Sequence, residues 1–204
     1  MLEKDAAVDI GTRIQLYRGL KQWNTCYDLI QKYKSLNPED KRTELDALGM
    51  YYTERREFEK ALDSFQEAEK ERPSTQEDWS EMYLKVKLYY GIALFLSGAE
   101  AEGVRMLNDC LVGYAELSPL NAVFDKEVQI AAIHTFLGNK EEAYKWLRKS
   151  NWTGWSLIVQ EQGVLFSKIS GEKEFQDIIS SVKAERKEVR EEIARLKAAG
   201  EWEI

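Results

Sequence analysis

Residues 42–75 read RTELDALGMYYTERREFEKALDSFQEAEKERPST, and the spacing of apolar and small residues in this stretch decides the fold. Leu45, Leu48 and Tyr52 recur at helical spacing on one face of a first helix. After the polar run Glu54-Arg55-Arg56-Glu57, Ala61, Phe65 and Ala68 do the same on a second helix. Gly49 and Ala61 are small, as two closely crossing helices require, and Tyr52 and Phe65 are large enough to fill the space beside them. Pro73 cannot continue a helix and ends the unit.

Weaker echoes of this unit lie on both sides. One covers about residues 7–41, with Ile10, Ile14 and Tyr17 in its first helix and Cys26, Ile30 and Tyr33 in its second, then Pro38. Another spans about 79–119, with Gly91 and Leu94 at the crossing, Gly98 in the turn, then Gly103, Leu107 and Cys110. Gly103 costs about 1 kcal/mol against Ala inside a helix, which close packing would offset. A fourth covers about 123–152, through Ala131, His134, Gly138, Ala143, Leu147 and Ser150. The lead-in at 74–80 and the link at 115–122, which carries Pro119, make the spacing uneven there. The expectation is an all-α chain: a solenoid of about four helix–turn–helix repeats in one domain over residues 1–204, closed by a C-terminal capping region at 153–204. Three Pro and 12 Gly are too few for a many-stranded sandwich or barrel.

The eight positions of the second unit resemble the signature of the tetratricopeptide repeat family, and Leu137-Gly138-Asn139-Lys140-Glu141-Glu142-Ala143 looks like that family's turn. The last third of the chain is also similar to the C-terminal repeats of bacterial multidomain signalling proteins, among them transcription regulators and nucleotide cyclases. Gly154-Trp155, Glu174-Phe175 and the charged helix up to Arg195 carry that likeness. The resemblance implies a protein–protein or peptide interaction scaffold, with a non-catalytic sensing or regulatory module of a larger signalling protein as the alternative. It also implies that the first helix of each unit lines a concave groove. The groove candidates are then Gln15 and Arg18; Asp46, Met50 and Thr53; Lys85, Tyr89, Ile92 and Phe95; and Gln129, Ala132 and Thr135. Relatives that bind chaperone tails hold a terminal carboxylate with a Lys, Asn and Arg clamp. Gly11, Gln15, Asp46 and Met50 stand at those positions here, so that clamp is absent. The apolar run Tyr89, Ile92 and Phe95 either anchors a peptide or is covered by the C-terminal segment.

Composition narrows the function classes. The formal net charge is −7, and basic residues alternate with acids, as in Lys183-Ala184-Glu185-Arg186-Lys187-Glu188. A nucleic-acid binder needs clustered Lys and Arg, so no nucleic-acid partner is expected. His134 is the one histidine; it occupies the place of Tyr52, and a packing role is expected. Cys26 and Cys110 fall in separate repeats, too far apart for a disulfide or a shared metal, and read as small buried apolar groups. No phosphate-binding loop, dinucleotide fingerprint or nucleophile elbow occurs. The expectation is a non-enzyme without cofactor or metal.

The longest apolar run, 89–99, is too short to span a bilayer. No secretory leader is visible at the start of the chain. The reading places the chain in the cytoplasm; as part of a membrane-anchored protein it would stand in the periplasm. Near the C-terminus Phe175, Ile178, Ile179 and Val182 form a stripe suited to capping the stack. The helix then runs on as a charged segment to about Ala199, stopped by Gly200. Val189, Ile193 and Leu196 keep only a thin stripe without sustained heptads. A single docked helix is the expectation, and a homodimer through this helix the alternative.

Overall fold

The computed structural model describes residues 2–72, 80–117, 126–150, 161 and 163–199, with side chains from Ile10 onward. Nine α-helices lie among the described residues: α1 Leu2–Gly19, α2 Trp23–Leu36, α3 Lys41–Glu54, α4 Phe58–Lys70, α5 Glu81–Ser97, α6 Glu100–Glu116, α7 Lys126–Phe136, α8 Lys140–Lys149 and α9 Lys173–Ala199. A short 3₁₀ turn, η1, spans Val164–Phe166, and no strand occurs among the described residues. The helices pair in chain order, α1 with α2 through α7 with α8, and each pair packs on the next. The first helix starts ahead of the expected unit boundary at residue 7.

One turn is built four times. Lys21, Arg56, Gly98 and Gly138 each take a left-handed backbone, at φ 54°, 61°, 102° and 79°. In each turn the next residue donates its N–H five residues back: Gln22 to Tyr17 O, Glu57 to Tyr52 O, Ala99 to Leu94 O and Asn139 to His134 O. This bond satisfies a carbonyl that the ending helix would leave bare and sends the chain back antiparallel. The second helix then opens one residue later in every case. The entries to α3 and α5 are capped by side chains instead. Asp40 accepts from the Thr43 N–H at 3.2 Å, and Ser80 from the Tyr83 N–H at 3.2 Å.

Small residues set the crossings, as the spacing predicts. A Cβ on Gly49 would land on the Phe65 ring, and one on Gly103 would lie 2.7 Å from the Gly91 carbonyl and the Phe95 nitrogen. Ala61 is fully buried beside them. The apolar residues form two cores. The smaller gathers Ile10, Ile14, Cys26, Leu29, Ile30 and Tyr51, and the larger runs from Met50 through α5–α8 to Phe175, Ile179 and Val182 on α9. Tyr52 packs against both. Besides pairing with their neighbours, α1, α3, α5 and α7 touch one another down the stack: α1 with α3, α3 with α5, α5 with α7. They form the inner layer.

The stripe Phe175, Ile179 and Val182 caps the larger core, with Ile178 packed against it. Beyond Val182 the helix is largely solvated, and Val189 is exposed. Trp152, Trp155, Trp202, Pro73, Pro119 and Gly200 lie outside the described residues. Among the described residues, no helix is long and apolar enough to cross a membrane.

Candidate functional site

The inner layer divides into two halves, and its own C-terminal segment makes the division. Val164, Leu165, Phe166 and Ile169 are buried in the same core as Tyr89, Ile92 and Ile133. Glu54, the last residue of α3, holds the segment: one carboxylate oxygen accepts from the Val164 N–H at 3.0 Å and the other from the Tyr89 hydroxyl at 2.9 Å. Lys168 lies over the Phe95 ring, 4.6 Å from its centroid, and donates to the Phe136 carbonyl at 3.4 Å. Phe95 in turn meets Phe136 edge-on, with centroids 5.5 Å apart.

Several groove candidates therefore have no open surface. Tyr89 and Ile92 are completely buried, and Phe95 is half-covered. The Thr53 hydroxyl donates to the Gly49 carbonyl at 2.8 Å, and that of Thr135 to the Ala131 carbonyl at 2.9 Å. Both back-bond to their own helix and are buried. Gln129 is buried too, its amide oxygen accepting from the Tyr114 hydroxyl, and Ala132 is fully buried. Of the two outcomes expected for Tyr89, Ile92 and Phe95, the structure shows cover by the C-terminal segment, whereas the expectation that Thr53, Gln129, Ala132 and Thr135 line an open groove is corrected by their burial.

The other half stays concave. A cavity of about 130 Å³ lies between α1, α2, α3 and α5. It brings together four of the sequence candidates, Gln15, Arg18, Asp46 and Met50. Ile14, Ile30, Ala47 and Val86 give it apolar walls, and the half-exposed Met82 stands at its edge. Lys85, a fifth candidate, reaches across the inner layer from α5 and donates to the Gln15 amide oxygen at 3.3 Å.

Arg18 is the distinctive group. Its side chain is 3% exposed, and Nε and Nη1 find no hydrogen-bond acceptor among the described residues. The guanidinium sits over the Tyr89 ring, 5.0 Å from its centroid, which supplies a cation–π contact but no counter-charge. The nearby acids are engaged or disfavoured as anions. Glu44 pairs with Lys34 at 2.8 Å. Asp46 has one buried carboxyl oxygen without a donor among the described residues; burial raises its pKa from 3.8 to about 6, against the opposing pull of Arg42 and Arg72.

Other concavities differ in kind. A broad surface depression of about 790 Å³ lies between α8 and α9, where Arg148 pairs with Glu174 and Lys173 with Asp177. Another of about 360 Å³ is lined by Tyr27, Tyr51, Tyr52, Arg55 and Lys60. Arg55 there already bonds the Tyr51 hydroxyl at 2.7 Å and Glu57 at 2.6 Å. The buried, unsatisfied guanidinium sets the cavity at Arg18 apart from both and makes it the candidate site.

Sequence reasoning reached this site through Gln15, Arg18, Asp46 and Met50. It missed Ile30 and Tyr33, because they come from a second helix assigned to the outer layer. It missed Glu54, which looked like part of a solvated turn.

Nucleophilic and metal chemistry find little support among the described residues. No group of three or more His, Cys, Asp and Glu converges there to hold a metal. Burial pushes the Cys26 thiol up to about 11, against the opposing charge of Arg18, and the Cys110 thiol up to about 12. Thiols so raised stay protonated at neutral pH and are poor nucleophiles. His134 is half-buried, with its pKa lowered by desolvation. Compared with protein-family models, curated proteins and solved structures, the chain gives no match to any.

Proposed function

We propose that this chain is a non-catalytic binding module of the tetratricopeptide type, a scaffold that receives a protein or peptide on the inner face of its first two helix pairs. The fourfold turn, with its left-handed residue two positions ahead of each second helix, supports the repeat assignment. One observation carries the functional reading. The inner layer is filled by the chain's own 163–169 segment at the third and fourth pairs, while at the first and second it keeps a cavity with a buried guanidinium that no described residue satisfies. Natural proteins rarely leave such a group without a partner, so its retention points to a ligand rather than to packing.

The sensing-module alternative is favoured by the cavity's size. At about 130 Å³ it suits a fragment or one side chain, below the ~300–1,000 Å³ of common ligand pockets. Under that reading the same face takes a small molecule and the chain relays its presence to an attached domain.

Affinity capture from source-cell extract tests the scaffold reading, using wild type, Met82→Asp at the cavity edge, and Val112→Asp on the exposed outer side of α6. A partner lost with Met82→Asp and kept with Val112→Asp is the expected result. The reverse pattern would move the receptive surface to the outer layer.

A further inference from the structure

The cavity between α1 and α5 is specific about charge, and the specificity lies in what surrounds Arg18. A guanidinium taken out of water needs acceptors in the plane of its nitrogens. Here Nε and Nη1 are buried with none among the described residues, and the ring of Tyr89 occupies a face of the group, not its edge. Two edges of the group, Nε–Nη2 and Nη1–Nη2, each present two parallel N–H groups, the geometry that two oxygens of one anion fit as a fork, and each edge carries one of these bare nitrogens.

The neighbours decide which anion. Arg42, the other arginine on the wall, interacts electrostatically with Asp40, so its charge is already opposed. Glu44 is taken by Lys34 and Glu54 by the Tyr89 hydroxyl and the Val164 N–H. Among the described residues this leaves one uncompensated positive charge on the wall, which matches a monoanion and not a doubly charged phosphate. Ile14, Met50 and Val86 offer apolar surface beside it. The volume is comparable to the roughly 150 Å³ of an apolar protein cavity that takes up one benzene molecule. It therefore admits a carboxylate with a few carbons and excludes a nucleotide.

We infer that this cavity is a carboxylate site: one forked edge of the Arg18 guanidinium takes the two oxygens of a monocarboxylate whose short aliphatic chain lies against Ile14, Met50 and Val86. The inference rests on the reading that the first two pairs form the receptive face. The carboxylate belongs either to a free short-chain acid or to the end of a partner polypeptide. Both present the same group to Arg18.

Amide-resolved NMR titration of the folded protein tests it, at ligand concentrations up to about 10 mM, the range in which a fragment-sized ligand registers. The probes are isovalerate and its neutral counterpart isovaleramide, and the peptide acetyl-Gly-Gly-Leu with a free or an amidated terminus. Saturable shifts around Arg18 and Asp46 with a carboxylate, and none with the matching amide, are expected. Response to isovalerate alone assigns a free acid; response to the peptide alone assigns a chain end. Arg18→Met, shown to be folded by circular dichroism, should lose the response. Arg18→Lys, which keeps the charge without the fork, should weaken it about tenfold or more. Failure of both carboxylates in wild type, equal binding of the amides, or an undiminished response in folded Arg18→Met overturns the inference. A Met82→Asp-sensitive partner with no carboxylate response would leave the scaffold reading standing and remove this one. A carboxylate response with no such partner would do the reverse.

Discussion

At the scale of single residues, two positions show opposite demands on glycine. Arg56 is forced to φ 61° by the turn between α3 and α4, where its counterparts at 98 and 138 are glycines. A left-handed backbone costs a residue with a Cβ roughly 1–2 kcal/mol, so Arg56→Gly should stabilise the fold by about 1 kcal/mol in urea denaturation. Gly103 lies at normal helical geometry, where Ala would ordinarily gain about 1 kcal/mol. Its Cβ would sit 2.7 Å from backbone atoms of α5, which no rotamer change relieves. Gly103→Ala should therefore destabilise by about 2 kcal/mol, and a gain in the same assay would show that the crossing has slack. The crossing was legible in the sequence because Gly103, Leu107 and Cys110 keep helical spacing in an apolar helix. The left-handed turns at Lys21 and Arg56 were not, since neither residue type signals that conformation. Arg18 was legible as an inner-layer position, but its missing counter-charge depends on where Glu44 and Glu54 point, which spacing does not encode.

At the scale of elements, the four helix pairs and the cap follow from periodicity, as α9 illustrates: Phe175, Ile179 and Val182 recur at helical intervals and all are buried. The 163–169 segment has no such period. Leu165 and Phe166 are recognisable as core, yet a short apolar run gives no direction, so the sequence left two outcomes open for Tyr89, Ile92 and Phe95, a peptide anchor or cover by this segment. Glu54 fixes that direction through two hydrogen bonds from elements far apart in sequence. Glu54→Ala leaves the Val164 N–H and the Tyr89 hydroxyl without this acceptor, at a cost of about 1–3 kcal/mol. Hydrogen exchange by mass spectrometry should show faster exchange at 163–169, with α7 and α8 much less affected. Unchanged exchange in that segment would mean that apolar burial alone holds it.

At the scale of the whole molecule, stability should respond to pH through Asp46. Its folded-state pKa is raised to about 6 by burial, above the ordinary 3.8. The folded chain then holds this proton more tightly than the unfolded chain between about pH 4 and pH 6, so the contribution falls as pH rises through that window. Asp46→Asn removes the buried charge and should raise the melting temperature at about pH 7.5, with the difference shrinking toward about pH 4. A variant that tracks wild type at both ends would show that Arg42 and Arg72 compensate the carboxylate fully.

The bond from Val164 to Glu54 also sets an order in time. It joins residues 110 apart in a stack whose other contacts are mostly between neighbours. A chain built only of neighbour contacts can acquire structure as it is synthesised, pair by pair. Here the inner faces of α5 and α7 stay bare until a later stretch arrives. Between the end of α8 and Ile169 the ribosome adds about twenty residues, a delay of roughly 1–4 s. During that interval Tyr89, Ile92 and Phe95 present a sticky surface on an otherwise assembled molecule. A nascent chain stalled at Ser150 would be a natural client for chaperones, whereas the finished one would not.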